Sequence, residues 1–118
     1  AKAIAECIPE MKGRLDGCAV RVPTPVGSLV DLAVQLQKET TADEINGKFK
    51  AAAGGNLKGI LEYTEDEIVS CDVVGNSHSS VFDSKQTQAQ GNLVKVFSWY
   101  DNEWGFSSRM VDALEKMM

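Results

Sequence analysis

The sequence has 118 residues, with 12 Lys and Arg against 17 Asp and Glu, a formal charge of −5, one His and three Cys. A chain of this length suits a single domain that buries roughly 65% of its unfolded surface, and 43% hydrophobic with 25% charged residues marks it as globular rather than disordered. The acidic balance argues against nucleic acid and anionic membrane as partners, no apolar run approaches the roughly 18 residues of a membrane span, and the lone His78 excludes a site built from two imidazoles.

The chain begins at Ala1 rather than Met and already in a helical pattern, so it is expected to be a piece of a longer polypeptide. From Ala1 to Ile8 strong helix formers carry Ile4, Cys7 and Ile8 at helical spacing, and Pro9 and Gly13 end the segment. Cys18 to Val22 alternates and is β-branched, which predicts a strand. After a break at Pro23–Gly27, a second strand is predicted from Ser28 to about Gln37. Its Leu32, Val34 and Leu36 share one face, opposite Asp31, Ala33, Gln35 and Gln37. Two strands joined by a short Pro/Gly turn are expected to pair antiparallel.

Thr41-Ala42-Asp43-Glu44 is a capping-box pattern opening a helix with Ile45, Phe49 and Ala52 or Ala53 on one stripe, stopped by Gly54-Gly55-Asn56. Short strands are predicted around Gly59–Tyr63, Ile68–Val74 and Ser79–Phe82. The acidic stretch of Glu62 and Glu65-Asp66-Glu67 reads as a solvated turn rather than a metal site. Gln86, Gln88 and Gln90 alternate, as on the polar face of a strand. Asn92 to Tyr100 carries the clearest strand signal, and a closing helix runs from about Asn102 to Met118 with Met110, Val111, Leu114, Met117 and Met118 on one stripe. The whole reads as one α+β domain of several short strands and three helices, without repeat or linker.

Cys7, Cys18 and Cys71 are odd in number and contain no C-x-x-C pair, so no structural metal is expected and the thiols read as reduced, buried groups of a cytoplasmic protein. A nucleophilic thiol would need His78, and a Cys71–His78 pair stays open, but a structural His at a turn is the preferred reading. Ser77-His78-Ser79-Ser80 is no Ser–His dyad if extended, because neighbours on a strand point to opposite faces. No Walker loop and no strand followed by G-x-G-x-x-G occurs.

Two places invite a functional reading. Arg21 sits mid-strand among apolar neighbours and must pair, either with a carboxylate of the chain, the reading that composition alone favours, or with an anionic ligand, for which its planar, always-charged fork is suited. The run Trp99-Tyr100-Asp101-Asn102-Glu103-Trp104-Gly105-Phe106 sets four aromatics around a polar turn. Asn102 can donate and accept, and so could hold a carboxamide in one orientation. Equally, Asp101 or Asn102 could cap the last helix while the aromatics fill the core.

These segments also carry a resemblance. Arg21-Val22-Pro23-Thr24-Pro25 followed by Gly27-Ser28-Leu29-Val30-Asp31-Leu32 resembles the catalytic-domain motif of the glyceraldehyde-3-phosphate dehydrogenase family. Leu57-Lys58-Gly59-Ile60-Leu61-Glu62-Tyr63-Thr64-Glu65 and Val69-Ser70-Cys71-Asp72 resemble its next block, and Ser98 to Ser107 its long late signature. Even Ala1-Lys2-Ala3-Ile4 resembles the helix after the family's phosphate-binding Thr-Gly segment, so the likeness runs from Ala1 to Met118.

The resemblance implies a mixed, largely antiparallel sheet with helices on one face, and a partial catalytic domain over residues 1–118 without the dinucleotide-binding domain. It implies oxidation of glyceraldehyde 3-phosphate with inorganic phosphate to 1,3-bisphosphoglycerate, with NAD or NADP as the hydride acceptor, in a cytoplasmic homotetramer of glycolysis. In the family a cysteine thiolate attacks the aldehyde, a histidine serves as base, and phosphate releases the acyl group. Position by position, Arg21 falls on the arginine that helps hold the substrate's phosphate, and Asn102 on the asparagine that hydrogen-bonds the nicotinamide carboxamide.

Several family features are not among these residues: the Ser-Cys-Thr-Thr-Asn nucleophile motif, the histidine base, the S-shaped loop and the first strands of the catalytic sheet. Cys7, Cys18, Cys71 and His78 stand elsewhere in the pattern. Phe106 stands where many relatives carry Tyr. The chain alone is therefore expected to be inactive, to hold no cofactor tightly, to need its own amino-terminal portion as partner, and to expose the helix stripe that packs on the dinucleotide domain. An unpaired sheet edge is expected as well, a template for self-association. Erythrose-4-phosphate dehydrogenase is the neighbouring alternative, disfavoured by Tyr100, where that group often has Cys; a non-catalytic or engineered module of the same domain is the other.

Overall fold

The computed structural model describes residues 2–118, so Ala1, where the opening helix is predicted to begin, lies outside the described residues. Strands β1 (Ser28–Gln35), β2 (Leu61–Thr64), β3 (Ser80–Gln90) and β4 (Leu93–Tyr100) form one sheet in the order β1-β4-β3-β2. β1 and β3 both run antiparallel to β4, while β2 runs parallel to β3. With helices α1 (Lys2–Cys7), α2 (Ala42–Gly54) and α3 (Trp104–Met117), the fold is α+β with a mixed, largely antiparallel sheet.

The core forms where α2 lies on the sheet. The Thr41 hydroxyl accepts from the Glu44 amide, and the Glu44 carboxylate accepts from the Thr41 amide, both at 3.2 Å, so the capping box starts the helix as the sequence predicts. The Thr40 hydroxyl and the Thr41 amide hold the Glu44 carboxyl below its usual range. Ile45, Phe49, Ala52 and Ala53 then pack on Leu61, Phe82, Val94 and Val96, with Phe49 stacked on Phe82 at 3.9 Å between ring centroids. Val34 of β1 and Leu36 just past its end join this cluster.

β3 and β4 turn through Gly91-Asn92, where Gln90 pairs with Leu93 and Gly91 takes a φ of +60°, as tight hairpins with a leading Gly require. β3 is irregular: Asp83 faces Phe97 but Gln88 faces Lys95, so extra residues are accommodated between them. The bulge carbonyl of Ser84 accepts from Asn46 Nδ2 at 3.1 Å, and Thr87 donates to Asn46 Oδ1 at 2.7 Å, so α2 satisfies the polar groups the bulge frees. From Gln86 on, Gln86, Gln88 and Gln90 are exposed while Thr87 and Ala89 are half-buried, the predicted alternation.

Three expectations are corrected. Cys18–Val22 is not a strand: Val20 is 77% exposed, and Thr24 closes a tight turn on the Val22 carbonyl at 2.8 Å. β propensity is realised only against a partner, and β1 pairs with β4 instead, leaving its outer edge free. Ile68–Val74 is a 3-10 turn at Ser70–Val73, because the Asp72 carboxylate takes the Val69 amide at 2.8 Å and curls the chain. All three cysteines are exposed, not buried. Cys18 lies on the unpaired segment, and Cys7 closes α1, where Ile4 and the following Ile8 are exposed too.

Candidate functional site

Ser28 opens β1 opposite Tyr100, which closes β4. The segment leading into β1, which carries Arg21, and the turn leaving β4, which carries Asn102, therefore adjoin the same end of the sheet. The β2–β3 crossover underlies that end. A side chain on Gly27 would put its Cβ 2.7 Å from the Ser70 carbonyl, so only Gly lets the 3-10 turn approach the start of β1. Val73, 1% exposed, plugs the turn, which also contacts β4.

Asp101 organises the turn after β4. Its side chain is buried, at 4% exposure. Oδ1 accepts from the amides of Glu103 and Trp104, each at 2.9 Å, and Oδ2 from the amide of Gly75 on the crossover at 2.8 Å. Its carbonyl accepts from the Gly105 amide at 3.2 Å, the first bond into α3. Hydrogen bonds from the amides of Trp104, Gly75 and Glu103 hold the Asp101 carboxyl below its usual range, because they favour the charged form. Asn102, next in the chain, is exposed, and among the described residues no hydrogen bond from the chain engages its amide.

α3 leaves this turn with its polar stripe inward. Gly105 is buried so closely that a Cβ there would lie 2.7 Å from the His78 carbonyl. Arg109, one turn on, donates to the Gly59 carbonyl at 3.1 Å and the Ser79 hydroxyl at 3.3 Å. Its Nε lies 2.7 Å from Asp112, close enough for an ion pair but off the line of a hydrogen bond. The opposite stripe, with Phe106, Met110, Val111, Leu114 and Met117, faces outward. The expectation that the aromatics of this run fill the core holds only in part: Trp99 is half-buried and donates to buried Asp83 at 3.3 Å, whereas Trp104 and Phe106 are exposed.

Arg21 is exposed, and among the described residues no carboxylate pairs with it, so the internal salt bridge weighed for it does not form. No hydrogen bond or ion pair joins Arg21 to Asn102; the shared sheet end is what relates them. His78 has the structural role preferred for it: its Nδ1 lies 3.0 Å from Glu62 and 2.9 Å from Asn76, whose amide also donates to Glu62 at 2.7 Å. Of the acidic stretch, Glu65 pairs with Lys50 at 2.7 Å, which draws the Glu65 carboxyl below its usual range and raises the Lys50 ammonium. Among the described residues no group of three or more His, Cys, Asp or Glu is placed to hold a metal, and no helix is long and apolar enough to cross a membrane. Sequence reasoning gave Asp101 as a candidate cap but missed Gly75, Gly105 and Arg109. The one signal was a Gly inside the first turn of an otherwise well-formed helix.

Comparison with known proteins bears on the whole chain. The family model described as "Glyceraldehyde 3-phosphate dehydrogenase, C-terminal domain" matches residues 1–102. Glyceraldehyde-3-phosphate dehydrogenase of Streptomyces coelicolor is 58% identical over 114 residues, 95% of this chain and 34% of its own length. The Mycobacterium tuberculosis H37Rv protein of the same name is 56% identical over 112 residues, 95% of this chain and 33% of its own. That of Kitasatospora aureofaciens is 50% identical over 115 residues, 98% of this chain and 35% of its own. The chain thus spans about a third of the length of these relatives.

Proposed function

The chain belongs to the glyceraldehyde 3-phosphate dehydrogenase C-terminal domain family, and from that premise we propose that it is part of the catalytic domain of a phosphorylating, nicotinamide-dependent aldehyde dehydrogenase. The reaction is oxidation of glyceraldehyde 3-phosphate with inorganic phosphate to 1,3-bisphosphoglycerate, one step of glycolysis in the cytoplasm, in a homotetrameric parent. The nucleophilic thiolate, the imidazole base and the dinucleotide domain come from outside these 118 residues, so this chain by itself is inactive. The reading is supported above all by the turn at Asp101–Trp104, whose buried carboxylate gathers three amides and leaves the Asn102 side chain outward.

In this reading Arg21 and Asn102 do the binding. The Arg21 guanidinium faces solvent with no internal carboxylate among the described residues, and meets the substrate's phosphate through bidentate, charge-assisted hydrogen bonds. In a chain of charge −5, an anionic substrate depends on such a local cation. Asn102 offers one donor and one acceptor to a carboxamide, a pairing that fixes which face of the nicotinamide ring meets the substrate. The cofactor, when bound, supplies the hydride acceptor; the chain's part is to orient it. α3 lays its outward apolar stripe against the dinucleotide domain.

The test is Arg21→Ala in the full-length protein, assayed by phosphate-dependent cofactor reduction. A lost hydrogen bond to a charged group costs about 1.5–3 kcal/mol, or about 10- to 100-fold in kcat/KM for glyceraldehyde 3-phosphate. The loss should be far smaller for unphosphorylated glyceraldehyde. Equal losses on both aldehydes would sink the phosphate role, and a preference for erythrose 4-phosphate would move the assignment to the neighbouring enzyme.

A further inference from the structure

We propose that Asp101 is the positioning residue for the nicotinamide contact: its carboxylate locks the turn that displays Asn102 and fastens that turn to the β2–β3 crossover at Gly75. This rests on the reading of Asn102 as the carboxamide partner, and adds a residue through which that contact is made precise.

The geometry goes beyond what a helix cap needs. A cap satisfies amides in the first turn of its own helix, and Oδ1 does this for Glu103 and Trp104. Oδ2 does something else. It reaches Gly75, 26 residues earlier and on another element. Gly75 has a φ of +77°, which a side chain would resist, and the turn before it is anchored by Val73 and by the close approach of Ser70 to Gly27.

Asn102 is consequently fixed from both sides. Before it, Tyr100 is paired with Ser28 in the sheet. After it, the next two amides are held by Asp101, and α3 is seated by Gly105 on His78 and by Arg109 on Gly59 and Ser79. The residue keeps only its own side-chain torsions, so the amide samples a small arc around one position. Site groups held this way on rigid elements lose little freedom on binding, whereas a displacement of about 1 Å costs on the order of 10²-fold.

The charge on Asp101 is integral to this. A carboxylate accepts at both oxygens; an amide accepts at one and donates at the other. Asp101→Asn can therefore serve the Glu103 and Trp104 amides or the Gly75 amide, and turns a donor against the group it does not serve.

The experiment uses the full-length protein in four forms: wild type, Asn102→Ala, Asp101→Asn and the double variant. Cofactor Kd is measured by fluorescence titration, and KM for glyceraldehyde 3-phosphate in parallel. Each single variant should weaken the cofactor by roughly 10-fold or more and leave the aldehyde-phosphate KM near wild type. The double variant should be no weaker than Asn102→Ala alone, because Asp101 acts through Asn102. If Asp101→Asn yields little folded protein, Asp101→Ser, whose hydroxyl still caps α3 but releases Gly75, makes the same measurement. Unchanged cofactor affinity in the Asp101 variants beside a weakened Asn102→Ala would overturn the positioning role alone, as would losses that multiply in the double variant. Unchanged affinity in Asn102→Ala would overturn the Asn102 reading, and the proposal with it.

Discussion

The Asp101 carboxylate accepts from three backbone amides, a setting that holds its pKa below the ordinary value. A depressed folded pKa stabilises the fold above the unfolded value, about 3.9 for Asp, and that contribution is lost as pH falls through the folded value. The turn is therefore expected to stay intact from neutral pH down to about the ordinary Asp range and to open only below it. Near-UV circular dichroism of Trp99 and Trp104 would follow this, with Asp101→Asn removing the acid transition. An acid transition that Asp101→Asn leaves untouched would show that another group opens the turn. Asp101 was legible in the sequence as a cap, since Asp before a helix is a local signal. Its bond to Gly75 was not, because nothing local relates residues 26 positions apart. Arg21 was legible as a cation in need of a partner. That no carboxylate of the described chain answers it became evident only in three dimensions.

At the scale of elements, what was read correctly has local causes. The capping box fixed the start of α2, and the alternating Gln86, Gln88 and Gln90 fixed the exposed face at the end of β3. What was misread depended on partners. Cys18–Val22 has strand composition but no strand beside it, and a side-chain bond at Asp72 outweighed the apolar run at residues 68–74. α3 shows the limit most clearly: its apolar stripe was visible, yet periodicity does not say whether the domain will cover that stripe or the opposite one. Here the chain covers the polar stripe, through Gly105, Arg109 and Asp112. Gly105→Ala tests that seating. Alanine favours a helix over glycine by about 1 kcal/mol, so on propensity alone the variant should be stabilised. With its Cβ placed 2.7 Å from the His78 carbonyl, α3 must instead shift, and thermal unfolding should come at a lower temperature than wild type. A higher midpoint would mean that the helix does not seat on His78.

The whole molecule carries more surface than its mass calls for. It exposes 8882 Å² at 12.8 kDa, against about 6,300 Å² for a compact monomer of that mass. Its radius of gyration is 15.0 Å, against about 13–14 Å for a compact chain of this length. The excess is not merely polar. Met110, Val111, Leu114 and Met117 on α3, Ile4 on α1 and Ile8 just after it, and Val20 and Val22 before β1 all stand exposed, and the outer edge of β1 is unpaired. Contiguous apolar stripes and open sheet edges are the features through which chains associate. Under the proposed function, the α3 stripe is expected to lie against the dinucleotide domain of the parent. Expressed as 118 residues alone, the chain is expected to self-associate, and sedimentation velocity over a concentration series should show species above 12.8 kDa that grow with loading. Leu114→Glu with Met110→Glu places charge on the α3 stripe and should reduce that association. It should leave monomer stability within about 0.5 kcal/mol, since neither side chain is part of the core. A chain that stays monomeric at every concentration would show that the exposed stripe is tolerated, and would remove the argument that it is built to be covered.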